Sequence, residues 1–489
     1  MSTVRQYGII FAFIFGAICA VAQGGPCPTA TSTSANAPTP TLSGDLVCLI
    51  PQVYGPGGLV GTDHGGPLHS TAQFSHAAHF QNSSLASFAP LNTEIGTELS
   101  QLPVGSPAAG FVFSFSPSLG VVSRQDVGFG PILTERAETV GRHKLYVGFS
   151  YQFFEFDRAD GINLKRFAAV FQHEDESAVC KTLPFFSGCS TNGAPIFQND
   201  IIVTQNRLDL KIHQYTAVAT FGVTNRLDLS LALPILNVRM SMSSDAVIES
   251  FETPTDIPPC CLHQFDSPNP QPQRETLFAP DPAFGFNHAA FNSPHSVSGV
   301  GDLTLRGKYQ IVRGEKFGLA PGLDVRFPTG DAYNFLGAGT WGIRPFVTSS
   351  YAARVSPHGT IGFQFNGDSI LAGNINLSNR SAKMPNVFTY TAGADAIVVR
   401  RLSLTGDYIG QTFYSVSKLV ATSFTDFGGT VRPTLASQSS VHLSQSSVAV
   451  GGKVNPVGSL LVTLNVLFRL NDAGLHAKPV PLVGLSYTF

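Results

Sequence analysis

The stretch TNRLDLSLALP, residues 224–234, decides the fold. Leu227, Leu229, Leu231 and Leu233 take alternate positions, with Arg226 and Asp228 beside them. A period of two belongs to a β-strand whose two faces meet different surroundings. A soluble sheet turns such leucines toward a protein core. A membrane barrel turns them toward lipid and keeps the charges in its lumen. Nearly the same word, QNRLDLK, stands at 205–211.

The pattern extends outward from there. In VPLVGLSYTF, 480–489, Val483, Leu485, Tyr487 and Phe489 share a face opposite Gly484, Ser486 and Thr488. LLVTLNVLFRL, 460–470, and KLYVGFSYQF, 144–153, repeat it. Strands are expected near 109–118, 143–157, 163–172, 202–222, 226–245, 297–313, 316–328, 342–354, 359–367, 385–399, 401–414, 442–454, 457–470 and 480–489. Their connections alternate: short turns such as RGEK, 313–316, and NPVG, 454–457, separate longer loops. Short periplasmic turns, longer outer loops and an even strand number mark an outer-membrane barrel. A sandwich would need a second sheet over the leucines. The fold class expected is all-β, a transmembrane antiparallel β-barrel of about fourteen strands, with twelve as the alternative. Both chain ends then lie in the periplasm.

Composition agrees. Hydrophobic residues make up 43% and charged residues 13% of the 489, with 48 Gly and 38 Phe. A net charge of −2 without a long basic run argues against nucleic acid as a partner. Arg5, an apolar run from Tyr7 to Ala20, and Ala20-Val21-Ala22 read as a signal peptide over residues 1–22. No later segment has 18 uninterrupted apolar residues, the length a membrane helix needs. Residues 23–60 form a Pro/Ser/Thr-rich flexible segment, 61–108 a plug or periplasmic cap, and 109–489 the barrel. In PLNTEIGTELSQLP, Asn92 or Thr93 is a candidate cap for a helix burying Leu91, Ile95, Leu99 and Leu102. Cys27, Cys48, Cys180, Cys189, Cys260 and Cys261 remain after cleavage, and an exported chain forms disulfides. Their pairing stays open, with Cys180 and Cys189 able to close one small loop.

The lumen-facing polar residues expected are Arg207, Asp209, Lys211, Arg226, Asp228, Arg239, Asp302, Arg306, Lys308, Asp324 and Arg326. Around RGEK, matching the faces puts Arg306 opposite Asp324 or Asp302 opposite Arg326, either way an ion pair. In strands 202–222 and 226–245 the apolar phase slips by one near Gln214 and Pro234. This predicts a paired irregularity that brings Arg239 opposite Asp209. Such charges fill and stiffen the interior or line a permeation path. Leu229→Asp is expected to hinder membrane insertion, and Asp324→Leu to be milder.

The words GVTNRLDLSLALP, GVGDLTLRGKY and APGLDVRFPTGD…LGAGTWGIRPFV, with GPILTERAETVGRHKLYVGFSYQFFEFD earlier, carry a family resemblance. Residues from about 125 to 489 resemble the outer-membrane transporter family labelled "putative meta-pathway of phenol degradation", related to the long-chain fatty-acid and aromatic hydrocarbon transporter barrels. The C-terminal Phe489, with Tyr487 two before it, looks like the signal read by the barrel-assembly machinery. The resemblance implies a porin-like channel or transporter of the bacterial outer membrane, held in outer-membrane lipid, for passive uptake or release of small hydrophobic or aromatic compounds.

No hydrolase, nucleotide or dinucleotide motif is present, and neither an enzyme nor a cofactor is expected. His64, His69, His76 and His79 lack a carboxylate or cysteine to complete a metal set. HEDES, 173–177, reads as a solvated charge run rather than a calcium loop. Two other classes stay open: a structural or adhesive barrel acting through long outer loops, and an outer-membrane hydrolase.

Overall fold

The computed structural model describes residues 27, 44–54, 59, 61–62, 80–103, 113–116, 121–124, 129, 133–173, 175, 198–251, 263–265, 269–277, 285–374 and 380–489. Twelve antiparallel wall strands close a barrel. The first, β1, is Leu145–Ala159, resumed at Phe167–Gln172. Then come β2 Ile201–Gly222, β3 Leu227–Glu249, and β4, His288–Val300 resumed at Leu303–Tyr309. They are followed by β5 Phe317–Phe327, β6 Gly342–Tyr351, β7 Val355–Asn366 and β8 Val387–Val399. The last are β9 Leu402–Thr425, β10 Val431–Val454, β11 Leu460–Arg469 and β12, Leu475–Ala477 with Val480–Thr488. β12 pairs with β1, Val483 opposite Tyr151, which leaves no edge.

The count is the expected alternative of twelve, and the two surplus strands have physical causes. Residues 113–116 pair with 121–124 in a separate two-stranded hairpin. Segments 143–157 and 163–172 lie end to end on one line: Phe156 pairs with Leu210 and Phe167 with Asn206, both on β2. Between them the chain makes an excursion closed by Arg158 opposite Asn163. Periodicity along a chain cannot tell collinear segments from neighbours. The expected long loop between 414 and 442 is also strand, with β9 and β10 paired from Leu402–Val454 up to Thr425–Val431. Leu145 and Phe489 meet by two backbone hydrogen bonds on the rim of the short turns. That rim is periplasmic.

The inside–outside reading needs one larger correction. β2 and β3 pair without a slip from Ile201–Glu249 to Gly222–Asp228. No irregularity falls at Gln214 or Pro234, and Arg239 faces Lys211, not Asp209. Even-numbered residues of β2 are buried and odd-numbered ones more exposed along its whole length. What changes is the medium. In the lower half the outer face is apolar (Tyr215, Ala217, Ala219, Phe221) and Gln214, Thr216 and Thr220 point inward. In the upper half Leu208, Leu210 and Ile212 point inward, while Arg207, Asp209 and Lys211 point outward. The apolar outer row on β1 runs from Leu145 to Phe153. At strand rise and barrel tilt this covers about 23 Å, close to the hydrocarbon band of such barrels. The wall therefore stands above the membrane, with water outside and protein inside.

That inner protein comes from the N-terminal region. α1, Leu46–Leu49, is wholly buried, and Cys48 within it forms a disulfide with Cys27. The remaining expected cysteines, the signal peptide and His64, His69, His76 and His79 lie outside the described residues. α2, Gln81–Leu99, starts before the expected cap and carries Pro90 within it. Asn92 does not cap; its Nδ2 donates to the Val47 carbonyl at 3.0 Å. Leu91, Ile95 and Leu99 are buried in one cluster with Leu208, Leu210 and Ile212. Each such burial contributes about 1.5–3 kcal/mol. From the end of α2, Ser100 and Pro103 reach Arg326 on β5 and Gln214 on β2, and Glu98 reaches β12. Partners spread round the wall in this way place α2 and the residues after it within the lumen.

Candidate functional site in the barrel lumen

Strand register builds a row of charge on the inner wall. Asp324 on β5 stands opposite Arg306 on β4 and Arg344 on β6. Arg306 donates from Nε at 2.6 Å and from Nη2 at 2.9 Å to the two Asp324 oxygens. Arg344 Nε reaches Oδ2 at 3.0 Å. Both guanidiniums lie over the Phe346 ring, 5.0 and 5.6 Å from its centre. Arg326 donates to the Ser100 carbonyl at 3.0 Å and to Asn366 Oδ1 at 2.9 Å, and its Nε is 3.5 Å from Asp302. The register is thus the one that sets Arg306 opposite Asp324; Arg326 stands opposite Thr304 and meets Asp302 off the register.

A second inner segment, residues 133–140, crosses the periplasmic half of the lumen. Glu135 accepts from Arg306 and, at 3.0 Å, from Lys308 Nζ. Lys308 Nζ also donates to the carbonyls of Arg136 and Glu138, each at 2.8 Å. Ser350 Oγ donates to Glu138 at 2.8 Å, and Val140 N donates to Asp228 at 3.0 Å. Burial alone would raise the Glu135 carboxyl, but the charges of Lys308 and Arg306 outweigh it and hold it below the usual range. Thr134 Oγ1 lies 2.9 Å from His358 Nε2 and 3.0 Å from Asp407, and His358 is 2.8 Å from Asp407. A hydroxyl, an imidazole and a carboxylate are thus together, yet the His358 and Asp407 side chains are 0% exposed. A solute has no access to them, and the trio ties the segment to the wall.

Of the expected lumen residues, Asp228, Asp302, Arg306, Lys308, Asp324 and Arg326 lie on the inner face and contact these segments or one another. Arg207, Asp209, Lys211 and Arg239 instead lie on the outer face of the wall, above its apolar band. Arg226 is exposed in the short β2–β3 turn. Sequence reasoning missed Glu135, Arg344, His358, Asp395, Asp407 and Lys453. The signal for Asp395, Asp407 and Lys453 was available, as each is a charge on the polar phase of an expected strand. Nothing local marks Glu135, because 133–140 has no periodicity.

Between the two inner segments lies a cavity of about 210 Å³. Ser100–Pro103 bound it on one side and Leu133–Glu135 on the other. The wall presents the Arg306–Asp324–Arg344 row, with Thr360, Gln364 and Gln411. An apolar cavity of about 150 Å³ holds a benzene molecule, so one aromatic ring fits here. Above it, on the outer side, Glu94 and Glu98 of α2 sit near Asp160 and Arg469. Burial, then the charges of Glu98 and Asp160, push the Glu94 carboxyl up. Burial raises Glu98 to about 7 against the opposing charge of Arg469, 3.7 Å away. Among the described residues no three His, Cys, Asp or Glu side chains form a metal set.

A closed barrel with a lipid-facing exterior and the family words on its strands locates the chain in the bacterial outer membrane. Residues 208–421 match the family "Putative MetA-pathway of phenol degradation". This is the family whose words the sequence carries, and the match runs from mid-β2 to mid-β9. The COG4313 outer membrane channel of Pseudomonas putida F1 is similar at 13% identity and a TM-score of 0.39, over 72% of this chain and 98% of that one. A FadL homologue of Pseudomonas aeruginosa is similar at 8% identity and a TM-score of 0.27, over 71% and 89%. No curated protein matches the sequence.

Proposed function

We propose that this protein is an outer-membrane channel that passes small hydrophobic or aromatic solutes passively, with the α2 region as its plug. The domain reading that goes with it assigns residues 61–108 to the plug and 109–489 to the barrel, after a signal peptide at 1–22 and a flexible segment at 23–60, with 133–140 as a second, periplasmic-side barrier. The cavity between the two inner segments carries the reading. It has the volume of a single ring and mixes apolar side chains (Leu102, Leu133, Pro234, Ile409) with arginines and hydroxyls. Such a mixture suits a solute with an apolar body and a few polar groups.

Passage requires the inner segments to move aside. At the cavity their ties to the wall are hydrogen bonds and ion pairs, which can exchange for water as a solute passes, while the apolar packing of Leu91, Ile95 and Leu99 must give way with α2. Planar-bilayer conductance of the mature protein, compared with a variant lacking residues 80–103, tests this. The variant is expected to conduct in long openings and to speed entry of a monocyclic aromatic into liposomes. Equal, negligible conductance from both correctly inserted proteins would remove the channel reading.

A further inference from the structure

Just above the apolar band, the outer wall carries cations that its own carboxylates do not balance. Lys211 on β2 stands directly opposite Arg239 on β3. Both point outward. Like charges directly opposed across an antiparallel pair repel. Arg239 Nε donates to a neutral partner, Asn237 Oδ1, at 2.8 Å. Glu155, the other register neighbour of Lys211, is held by Lys478 at 2.9 Å. One row further out, Asp209 is shared between Lys165 and Arg207. Five Lys and Arg side chains therefore meet three carboxylates on this face, the third being Asp157, 2.8 Å from His476.

The row directly below is aromatic. Tyr151 Oη lies 2.9 Å from His213 Nδ1, the Tyr151 and Tyr215 rings are 5.0 Å apart, and Phe153 and His213 are 4.9 Å apart. Aromatic girdles mark the boundary of the hydrocarbon in such barrels. With the short turns periplasmic, this girdle is the outer one, and Lys211 and Arg239 stand at the level of the outer-leaflet head groups.

We infer that Lys211 and Arg239, supported by Arg207 and Lys165, bind a phosphate group of a phosphorylated glycolipid in the outer leaflet. Cβ atoms of directly opposed residues are about 5 Å apart, so one phosphate can receive both side chains. It converts their repulsion into two charge-assisted hydrogen bonds. The inference rests on the outer-membrane placement and not on the channel reading.

The test is native mass spectrometry of the full mature protein, purified in mild detergent and mixed with a phosphorylated outer-leaflet glycolipid or its enzymatically dephosphorylated form. Wild type is expected to retain the phosphorylated form and lose the other. Lys211→Ala with Arg239→Ala is expected to weaken retention at least about tenfold, as loss of charged hydrogen bonds implies. Lys211→Arg with Arg239→Lys is expected to restore it. Equal retention of both glycolipids by wild type, or of the phosphorylated one by wild type and the alanine variant, overturns the inference. If the alanine variant fails to fold, the two-lipid comparison on wild type decides. Conductance of the alanine variant is expected to equal that of wild type, which separates this outcome from the channel test.

Discussion

Lys308 Nζ lies 3.0 Å from the Glu135 carboxylate, a wall cation held by an anion of the segment that crosses the lumen. Lys308 is 3% exposed, so losing the Glu135 charge leaves a buried cation with Asp228, opposite it on β3, as its remaining anion. Glu135→Gln is therefore expected to cost about 1–3 kcal/mol at this contact. The measurements are the unfolding temperature in heat-modifiability gels, expected to fall, and the open probability in bilayers, expected to rise.

Asp324→Leu is expected to be more damaging than Leu229→Asp, which reverses the ordering read from sequence. Asp324 holds two guanidiniums, and removing it strands Arg344 and leaves Arg306 with Glu135 alone, at about 3–5 kcal/mol. Leu229 is 44% exposed on the lipid face. Even Arg or Lys there costs about 2–4 kcal/mol at the midplane, and Asp less. Urea unfolding of the two variants in the same lipid checks the ordering.

Ser100 Oγ lies 3.9 Å from Met384 Sδ, joining the end of α2 to the residues leading into β8. Ser100→Cys with Met384→Cys is expected to form a cross-link that closes the channel. Bilayer conductance should then be lost under oxidation and return on adding reductant, while the single variants conduct like wild type.

Glu98 makes the hold on α2 depend on pH. Its carboxyl titrates near 7 when α2 is docked, against an ordinary value of 4.5. A raised value means docking is strongest below about pH 4.5 and weakens as pH rises toward 7. The difference is about 3 kcal/mol as an upper figure. Hydrogen exchange of α2 amides is expected to speed up between pH 4.5 and 7 beyond the intrinsic base-catalysed increase. Glu98→Gln is expected to reduce that excess, and Glu98→Gln with Glu94→Gln to abolish it.

The alternation in TNRLDLSLALP was enough to place Leu229 on the lipid side and Asp228 on the lumen side, because that part of β3 lies within the bilayer. The same logic failed for Arg207, Asp209, Lys211 and Arg239. It assumed one medium outside the whole strand, and these residues stand above the hydrocarbon layer. A change of solvent then reads as a change of phase, which is how an unbroken register produced an expected slip at Gln214. Arg306 opposite Asp324 was legible since a tight turn fixes the register. The grip of Glu135 on Lys308 was not, because their separation along the chain carries no local signal.

The switch of polarity at His213 divides the exterior into two territories. A detergent belt would wrap the lower one and end near the Lys211–Arg239 row, leaving the exterior of β2 and β3 beyond Arg207 bare and free to meet crystal neighbours. On an intact cell that same face is the flank an antibody or a phage tail fibre can reach, whereas the leucines of β3 are sheltered from both.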